Sequence, residues 1–177
     1  MKYLIRALIV IVVFAAVGLI FLYSGAYNVS AMVPHNRLTL WMINTLKDNS
    51  IEHRSKDVKA PDNLNDTSLI RLGFVHYREM CQTCHGAPGI QSSEIGKGLY
   101  PHPPNLAHSA KEMPASELFW ITKNGIKLTG MPAFGKTHSD DKIWALVAFM
   151  KTLPTMTKEQ YQALDKANKM ESMDNHY

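Results

Sequence analysis

Cysteine is scarce in this chain: only two occur among its 177 residues, three positions apart. That number excludes a disulfide framework, and it leaves no four-thiolate zinc or iron–sulfur site. Alternation of apolar and polar residues, the pattern typical of half-buried strands, is also missing, whereas apolar residues recur at three- and four-residue steps. We therefore expect an all-α protein.

Net charge is absent from most of the chain. Residues 61–177 contain twelve basic and twelve acidic residues, so the excess of +4 lies in residues 1–60, with seven basic and three acidic residues. Nucleic-acid binding requires a basic face on the domain itself, which argues against such a partner. A basic N-terminal segment instead suits acidic lipid headgroups or an acidic partner.

Both cysteines belong to the segment Cys81-Gln82-Thr83-Cys84-His85, which has the C-x-x-C-H pattern of covalent haem attachment. Thiols one helical turn apart can add to the two vinyl groups of a porphyrin, and the adjacent imidazole can bind the iron. A redox dithiol would need a thioredoxin-like βαβ context, and a zinc site would need two more ligands, for which only histidines are available. The motif therefore favours one covalent haem c held by Cys81, Cys84 and His85.

The other face of the iron needs a strong-field sixth ligand for electron transfer or an open position for chemistry. Met131 lies between Gly130, which allows close approach of the backbone, and Pro132, which restricts the loop. Met113 is the alternative, because Pro114 follows it and it also lies downstream of the motif. Spacing alone does not decide between them, and most of the other methionines suit core packing.

One set of residues spread along the chain has a familiar order: Gly73, Tyr77, Cys81 to His85, Pro103 to Leu106, Thr129 to Pro132, and Trp144. This set resembles the monohaem, His/Met-ligated class I c-type cytochromes, and the long apolar run near the N-terminus resembles the anchor of their membrane-anchored members. The resemblance implies a cytochrome c fold with His85 and Met131 as axial ligands, and a last-helix aromatic, Trp144, against Gly73 on the first helix.

The resemblance also implies a partner for the second ring nitrogen of His85. A metal-bound imidazole usually donates that N–H to a fixed acceptor, and in this family the acceptor is a proline carbonyl about twenty residues further on. Pro104 matches that place, as does Pro103. The alternative is that residues 101–104 only form a stiff extended loop.

One long apolar run, Ala7 to Tyr23, contains no charge and follows Lys2 and Arg6. With the two preceding apolar residues it approaches the ~20 residues that a bilayer requires. The positive-inside rule then predicts a single-pass anchor in a bacterial inner membrane, with the haem domain in the periplasm. Ser24-Gly25-Ala26 would also suit signal peptidase, but the run exceeds a usual signal-peptide core, so a retained anchor is favoured.

We expect three segments: residues 1–26 as anchor or signal peptide, 27–64 as juxtamembrane helix and linker, and 65–177 as the haem domain. The juxtamembrane helix, starting near Pro34, is either an interfacial helix with Trp41 at headgroup depth or a helix packed on a partner subunit. Residues 51–66 are expected to be a polar linker. The haem-domain pattern predicts helices over residues 69–80, 114–124, 140–153 and 157–169, with residues 86–108 as a loop around the haem.

The function expected from this reading is electron transfer at the outer face of the membrane, not catalysis. A respiratory oxidase, reductase or dehydrogenase is the expected partner, since tethering raises the local concentration. The alternative is a haem enzyme with an open sixth position for peroxide or nitric oxide, but Lys127 is the one acid–base group near Met131. A haem-based gas sensor would need an output domain, and the expected terminal helix is too small to be one. Seven of the eight histidines have no role in this scheme, and His35 and His102 are the first of them to examine. A non-covalent haem b or a copper site between helices stays open.

Overall fold

A computed structural model describes the backbone of residues 1–174 and the side chains of residues 1–169. The chain divides into two compact units, Met1–Pro34 and the part from His35 onward. In the described residues the regular structure is helical, and an isolated bridge between Ala87 and Ile90 is the one strand-like pairing. The expected all-α class is confirmed.

The first unit contains the helix α1, Lys2–Tyr23, in which every residue is exposed. Its mean hydropathy is 2.9 over the best 18-residue window, and within the described chain it is the one helix long and apolar enough to span a membrane. Its 22 residues give a length of about 33 Å, close to the thickness of a bilayer core. An anchor and an N-terminal signal sequence both have these properties.

The second unit consists of helices joined by short turns. Two of the connections are 3₁₀ turns, and a π-helical turn precedes the cysteine motif. The elements are α2 (Arg37–Ser55), α3 (Thr67–His76), the π-helical turn (Tyr77–Cys81), α4 (Gln82–His85), α5 (Glu94–Gly98), α6 (Leu106–Ser109), α7 (Ala115–Asn124), the 3₁₀ turn Phe134–Lys136, α8 (Asp140–Thr152), the 3₁₀ turn Leu153–Thr155 and α9 (Lys158–Asp174).

Helices α3 and α8 cross closely at Gly73. A Cβ at position 73 would collide with the carbonyl of Ala145 and would lie 2.8 Å from the Cβ of Phe149. Trp144 does not supply this contact, which differs from the expectation, because it stacks on Phe119 of α7 with ring centroids 4.1 Å apart. Residues 145 and 149 share one helical face, whereas residue 144 points about 100° away from residue 145.

Helix α2 begins three residues after Pro34 and extends into the expected linker. The side chain of Asn36 caps it by accepting a 2.9 Å hydrogen bond from the N–H of Thr39. The helix continues through Ser55, and it packs against α7 with Ile51 and Ser55 as its buried residues. The linker is therefore shorter than expected, because the apolar Ile51 belongs to the packed helix.

Two short helices occupy part of the segment expected as loop. At the start of α5, the hydroxyl of Ser93 accepts a hydrogen bond from the N–H of Gly96 at 3.4 Å. At the start of α6, the side chain of Asn105 accepts one from the N–H of Ala107 at 3.0 Å. Both are N-caps whose helices are too short to show an apolar period.

The last helix, α9, closes against α3 and the π-helical turn. Thr157 and Gln160 form the expected capping box, with reciprocal bonds of 2.8 and 3.2 Å. Tyr161 is fully buried and meets the ring of Phe74 edge-on, with centroids 5.5 Å apart. Helix α9 thus contributes Tyr161 to the hydrophobic core of the haem domain.

Candidate haem-binding site

The π-helical turn Tyr77–Cys81 follows α3 and ends at the first cysteine of the motif. The rest of the motif forms the short helix α4. A π turn is wider than an α turn, and such turns are frequent at functional sites. Helix α4 ends at Gly86, whose φ of 68° favours glycine. A Cβ there would lie 2.6 Å from the carbonyl of Ile90, so the close return of the chain also requires glycine.

A buried hydrogen bond joins two residues that flank the motif. The hydroxyl of Tyr77 donates to the carbonyl of Gly86 at 2.7 Å, and Tyr77 is fully buried. Burial raises the pKa of Tyr77 well above its ordinary value, so the phenol stays protonated and remains a donor. The ten-residue segment from Tyr77 to Gly86, which contains both cysteines and His85, is thereby held at its two ends.

The two cysteines are not bonded to each other; Cys81 is buried and Cys84 is partly buried. Two effects raise the pKa of Cys81 to about 12: burial is the larger, and the neighbouring Cys84 is the smaller. A redox dithiol requires the opposite, a lowered thiol pKa. In addition, no group of three or more His, Cys, Asp or Glu side chains in the described residues could hold a metal ion. Both alternatives to haem attachment therefore lose support.

The imidazole of His85 is oriented by a backbone carbonyl. Its Nδ1 lies 2.8 Å from the oxygen of Pro104. Because a carbonyl only accepts, Nδ1 must carry the proton and donate, which leaves Nε2 as the nitrogen available to a metal. Burial lowers the pKa of His85, and the bond to Pro104 opposes that change in part. The pair has the arrangement usual for a metal-binding histidine.

Met131 lies on a loop that is held by several backbone contacts. Helix α7 ends at Gly125, with φ of 66°, and a Cβ there would lie 2.7 Å from the carbonyl of Met131. That carbonyl accepts a 3.3 Å bond from the N–H of Ile126. The N–H of Met131 donates to the hydroxyl of Thr129 at 3.1 Å, and this hydroxyl donates to the carbonyl of Ile126 at 2.8 Å. The backbone of Met131 is thus fixed on both sides.

Met113 has different surroundings. Its side chain is partly buried at the edge of the hydrophobic core. The ammonium of Lys151 donates to the carbonyls of Met113 and Ala110, each at 3.0 Å. These contacts give the Met113 segment a packing and capping role between α6 and α8.

His35 and His102 both lie beside Tyr100. The N–H of His35 donates to the Tyr100 hydroxyl at 2.9 Å, and the two rings meet edge-on with centroids 5.2 Å apart. The ring of His102 is 6.2 Å from that of Tyr100. This contact joins the start of α2 to the loop that carries Pro104. No local pattern indicates it, because it spans 65 residues of sequence.

The residues at the site fit haem c. The two cysteines are not joined to each other, and Nε2 of His85 is left for a metal. Met131, a residue type that binds haem iron in cytochromes c, lies on a fixed loop downstream of the motif. Fold and site together define a c-type cytochrome domain.

Within that class, residues 68–150 match the model of the family described as cytochrome c oxidase, cbb3-type, subunit III. The matched segment runs from α3 into α8 and includes the motif, Pro104 and Met131, but not α1 or α2. It spans a little under half of the chain. A comparison with curated proteins finds no match. The matched segment is a c-type cytochrome domain, and a domain of this kind carries haem c and generally transfers electrons.

Proposed function

We propose that this chain transfers electrons through a single haem c bound covalently to Cys81 and Cys84, with His85 and Met131 as axial ligands. The observation that carries the proposal is the 2.8 Å contact between His85 Nδ1 and the Pro104 oxygen, which leaves Nε2 for iron. Haem c, when bound, supplies a one-electron ferric–ferrous couple. The protein sets the potential, excludes water and keeps the ligands in place.

Two of these roles, setting the potential and keeping the ligands in place, have named residues. The carbonyl of Pro104 fixes the ring of His85 and increases its basicity as a ligand. The thioether of Met131, as a ligand of the haem iron, would favour the ferrous state and so raise the reduction potential. The bond between Tyr77 and Gly86 limits movement of the cysteine motif. A site held in this way suits electron transfer, in which the ligands change little between oxidation states.

The proposed location is the periplasmic face of a bacterial inner membrane, with α1 as a single-pass anchor. The length and hydropathy of α1 support an anchor, and Lys2 and Arg6 near its start support an N-terminus in the cytoplasm. The cysteines then lie outside the cytoplasm, where c-type haem is attached in bacteria. A cleaved signal sequence would give the same side without the tether.

The proposed partner is a respiratory oxidase complex, and the description of the matched family supports it. A reductase or dehydrogenase is a partner of the same kind.

Leu128 is a candidate contact residue for such a partner, since it is 96% exposed, has a φ of 61° and lies three residues before Met131. Non-glycine residues with such a φ are uncommon and occur often at functional sites.

Intact-mass analysis of the purified full chain tests the covalent haem. We expect the mass of the chain plus one haem, retained after denaturation, and its loss in the variant with Cys81→Ser and Cys84→Ser. Met113→Ala is the control and should keep the haem. A wild-type chain whose haem dissociates on denaturation would contradict the proposal.

Affinity purification from detergent-solubilised membranes of the native host tests the partner. We expect subunits of a respiratory oxidase, identified by mass spectrometry, to be recovered with the chain. Recovery of the chain alone from the membrane fraction would contradict a fixed role in such a complex. Recovery from the soluble fraction would contradict the anchor as well.

A further inference from the structure

Helix α2 has apolar residues on two opposite faces. One face packs on α7 and contains the buried Ile51, with Leu40 and Lys47 partly buried. At about 100° per residue, positions 38 and 42 lie about 160° away from Leu40, and positions 41 and 46 flank them about 100° and 120° away from Leu40. A helix that packs on a domain by one face normally has polar residues on the other.

That opposite face is exposed and apolar. Leu38 is 65% exposed, Trp41 64%, Met42 57% and Leu46 74%. These four residues, called here the α2 apolar face, are neighbours at three- and four-residue steps. Large apolar side chains clustered on a surface mark an interaction site more often than single exposed ones do.

The polarity of this side of α2 changes along the helix. Beyond Leu46 the same side carries Asn49, His53 and Lys56, all exposed. The apolar residues are thus confined to the half of α2 that follows α1 along the chain. A surface that becomes more polar with distance from the anchor suits the boundary between acyl chains and water.

The connection between the two helices is short and contains no Asp, Glu, Lys or Arg. Thirteen residues separate Tyr23 from Arg37, and a chain of this length reaches at most about 45 Å. Four of its large apolar side chains are exposed: Tyr27, Val29, Met32 and Val33. If α1 spans a bilayer, the start of α2 therefore lies within that reach of the end of α1.

We propose that the α2 apolar face lies in the interface of the bilayer that α1 crosses, with Trp41 among the headgroups. The inference rests on the anchor assigned under the proposed function. Trp is enriched at this depth, and residues 24–60, which follow α1, contain five basic and three acidic residues, an excess of +2 that suits anionic lipids. The acidic residues of α2, Asp48 and Glu52, lie beyond the apolar half.

The position of α2 has a consequence for the haem domain. The helix is fixed to α7 through the face that contains Ile51, and the preceding His35 is bonded to Tyr100 in the loop that carries Pro104. With α2 on the bilayer, the haem domain keeps one orientation relative to the membrane. Without it, the domain would turn freely on a linker.

Spin-label accessibility in the full, haem-bearing chain tests this inference. The chain with Met42→Cys is labelled with a nitroxide and placed in nanodiscs of phosphatidylethanolamine and phosphatidylglycerol. Arg54→Cys, exposed on another side of the same helix, is the matched control. We expect the label at position 42 to be relaxed more by oxygen than by a water-soluble nickel chelate, and the label at position 54 to show the reverse.

Two results would overturn the inference. Equal access of the nickel chelate to both labels would show that the face is open to water in the absence of another protein, which assigns it to a protein partner. Exclusion of both reagents from position 42 would show that a second copy of the chain covers it. Leu46→Cys repeats the test if Met42→Cys fails to incorporate haem.

Flotation of the same chain with lipid vesicles separates this inference from the proposed function. A chain that does not float would contradict the anchor, and the inference fails with it. A chain that floats, with the label at position 42 in water, would contradict only the placement of α2.

Discussion

The hydroxyl of Tyr77 donates a 2.7 Å hydrogen bond to the carbonyl of Gly86, and both residues are buried. They flank the C-x-x-C-H motif, so one bond closes the segment that contains both cysteines and His85. A buried carbonyl that loses its donor is left without a partner, which makes this bond important for the site.

Tyr77→Phe is expected to lower the free energy of unfolding by about 1–3 kcal/mol, because it removes the donor and leaves the Gly86 carbonyl unpaired. Denaturant unfolding followed by circular dichroism measures the loss. Tyr161→Phe is the comparison, since its acceptor Gln82 is partly exposed and can bind water instead. Equal losses in the two variants would contradict the importance given to the buried carbonyl.

Gly73→Ala is expected to destabilise the domain by about 1–3 kcal/mol, as overpacked sites do. The added methyl would meet the backbone of Ala145, which cannot move as a side-chain tip can. Gly98→Ala is the matched control, because a Cβ at position 98 has nothing within 4 Å. A change larger than about 0.5 kcal/mol in the control would show that the effect is not specific to the crossing.

His76 gives the stability a pH dependence. Its Nε2 is buried and has no hydrogen-bond partner among the described residues, and its ring meets that of His138 with centroids 5.6 Å apart. Burial, then His138 and Lys142, lower the pKa of His76, whereas Glu79 opposes this.

The unfolded chain therefore binds a proton at His76 more readily than the folded one, and stability falls as the pH drops below about 6.5. Denaturant unfolding at a series of pH values measures the slope. We expect His76→Gln to reduce that slope and His53→Gln, an exposed control, to leave it unchanged. An identical slope in wild type and His76→Gln would contradict this assignment.

The ion pair between Arg78 and Asp165 joins the π-helical turn to α9, with Nη1 and Oδ1 3.1 Å apart. The two side chains are 25% and 28% exposed, so solvent screens them in part. A double-mutant cycle with Arg78→Met and Asp165→Asn should give a coupling of about 0.5–1 kcal/mol that decreases with added salt. The more exposed pair Lys47 and Asp48 serves as a control with a coupling near zero. A zero coupling for Arg78 and Asp165 would show that this ion pair does not help to hold α9.

The sequence predicts those parts of the fold that depend on neighbouring residues. Helix α7 lies between Pro114 and Gly125, and the capping box of Thr157 starts α9, as the local signals indicate. The bond between His85 and Pro104 is an expectation of the family resemblance, and the structure has it.

Contacts between distant residues could not be predicted in this way. The extension of α2 through Ile51 depends on its packing against α7, and the position of Trp144 depends on Phe119. The contact of His35 with Tyr100 has no periodic signal in the sequence. Each is decided by tertiary packing, which local propensity does not contain.

The absorption spectrum of the ferric protein, compared between wild type, Met131→Ala and Met113→Ala, tests the central claim most directly. Sulfur bound to ferric iron gives a weak far-red charge-transfer band. The account predicts this band in the wild type and in Met113→Ala, and its loss in Met131→Ala. A high-spin wild type without the band, or a band lost only in Met113→Ala, would contradict ligation by His85 and Met131.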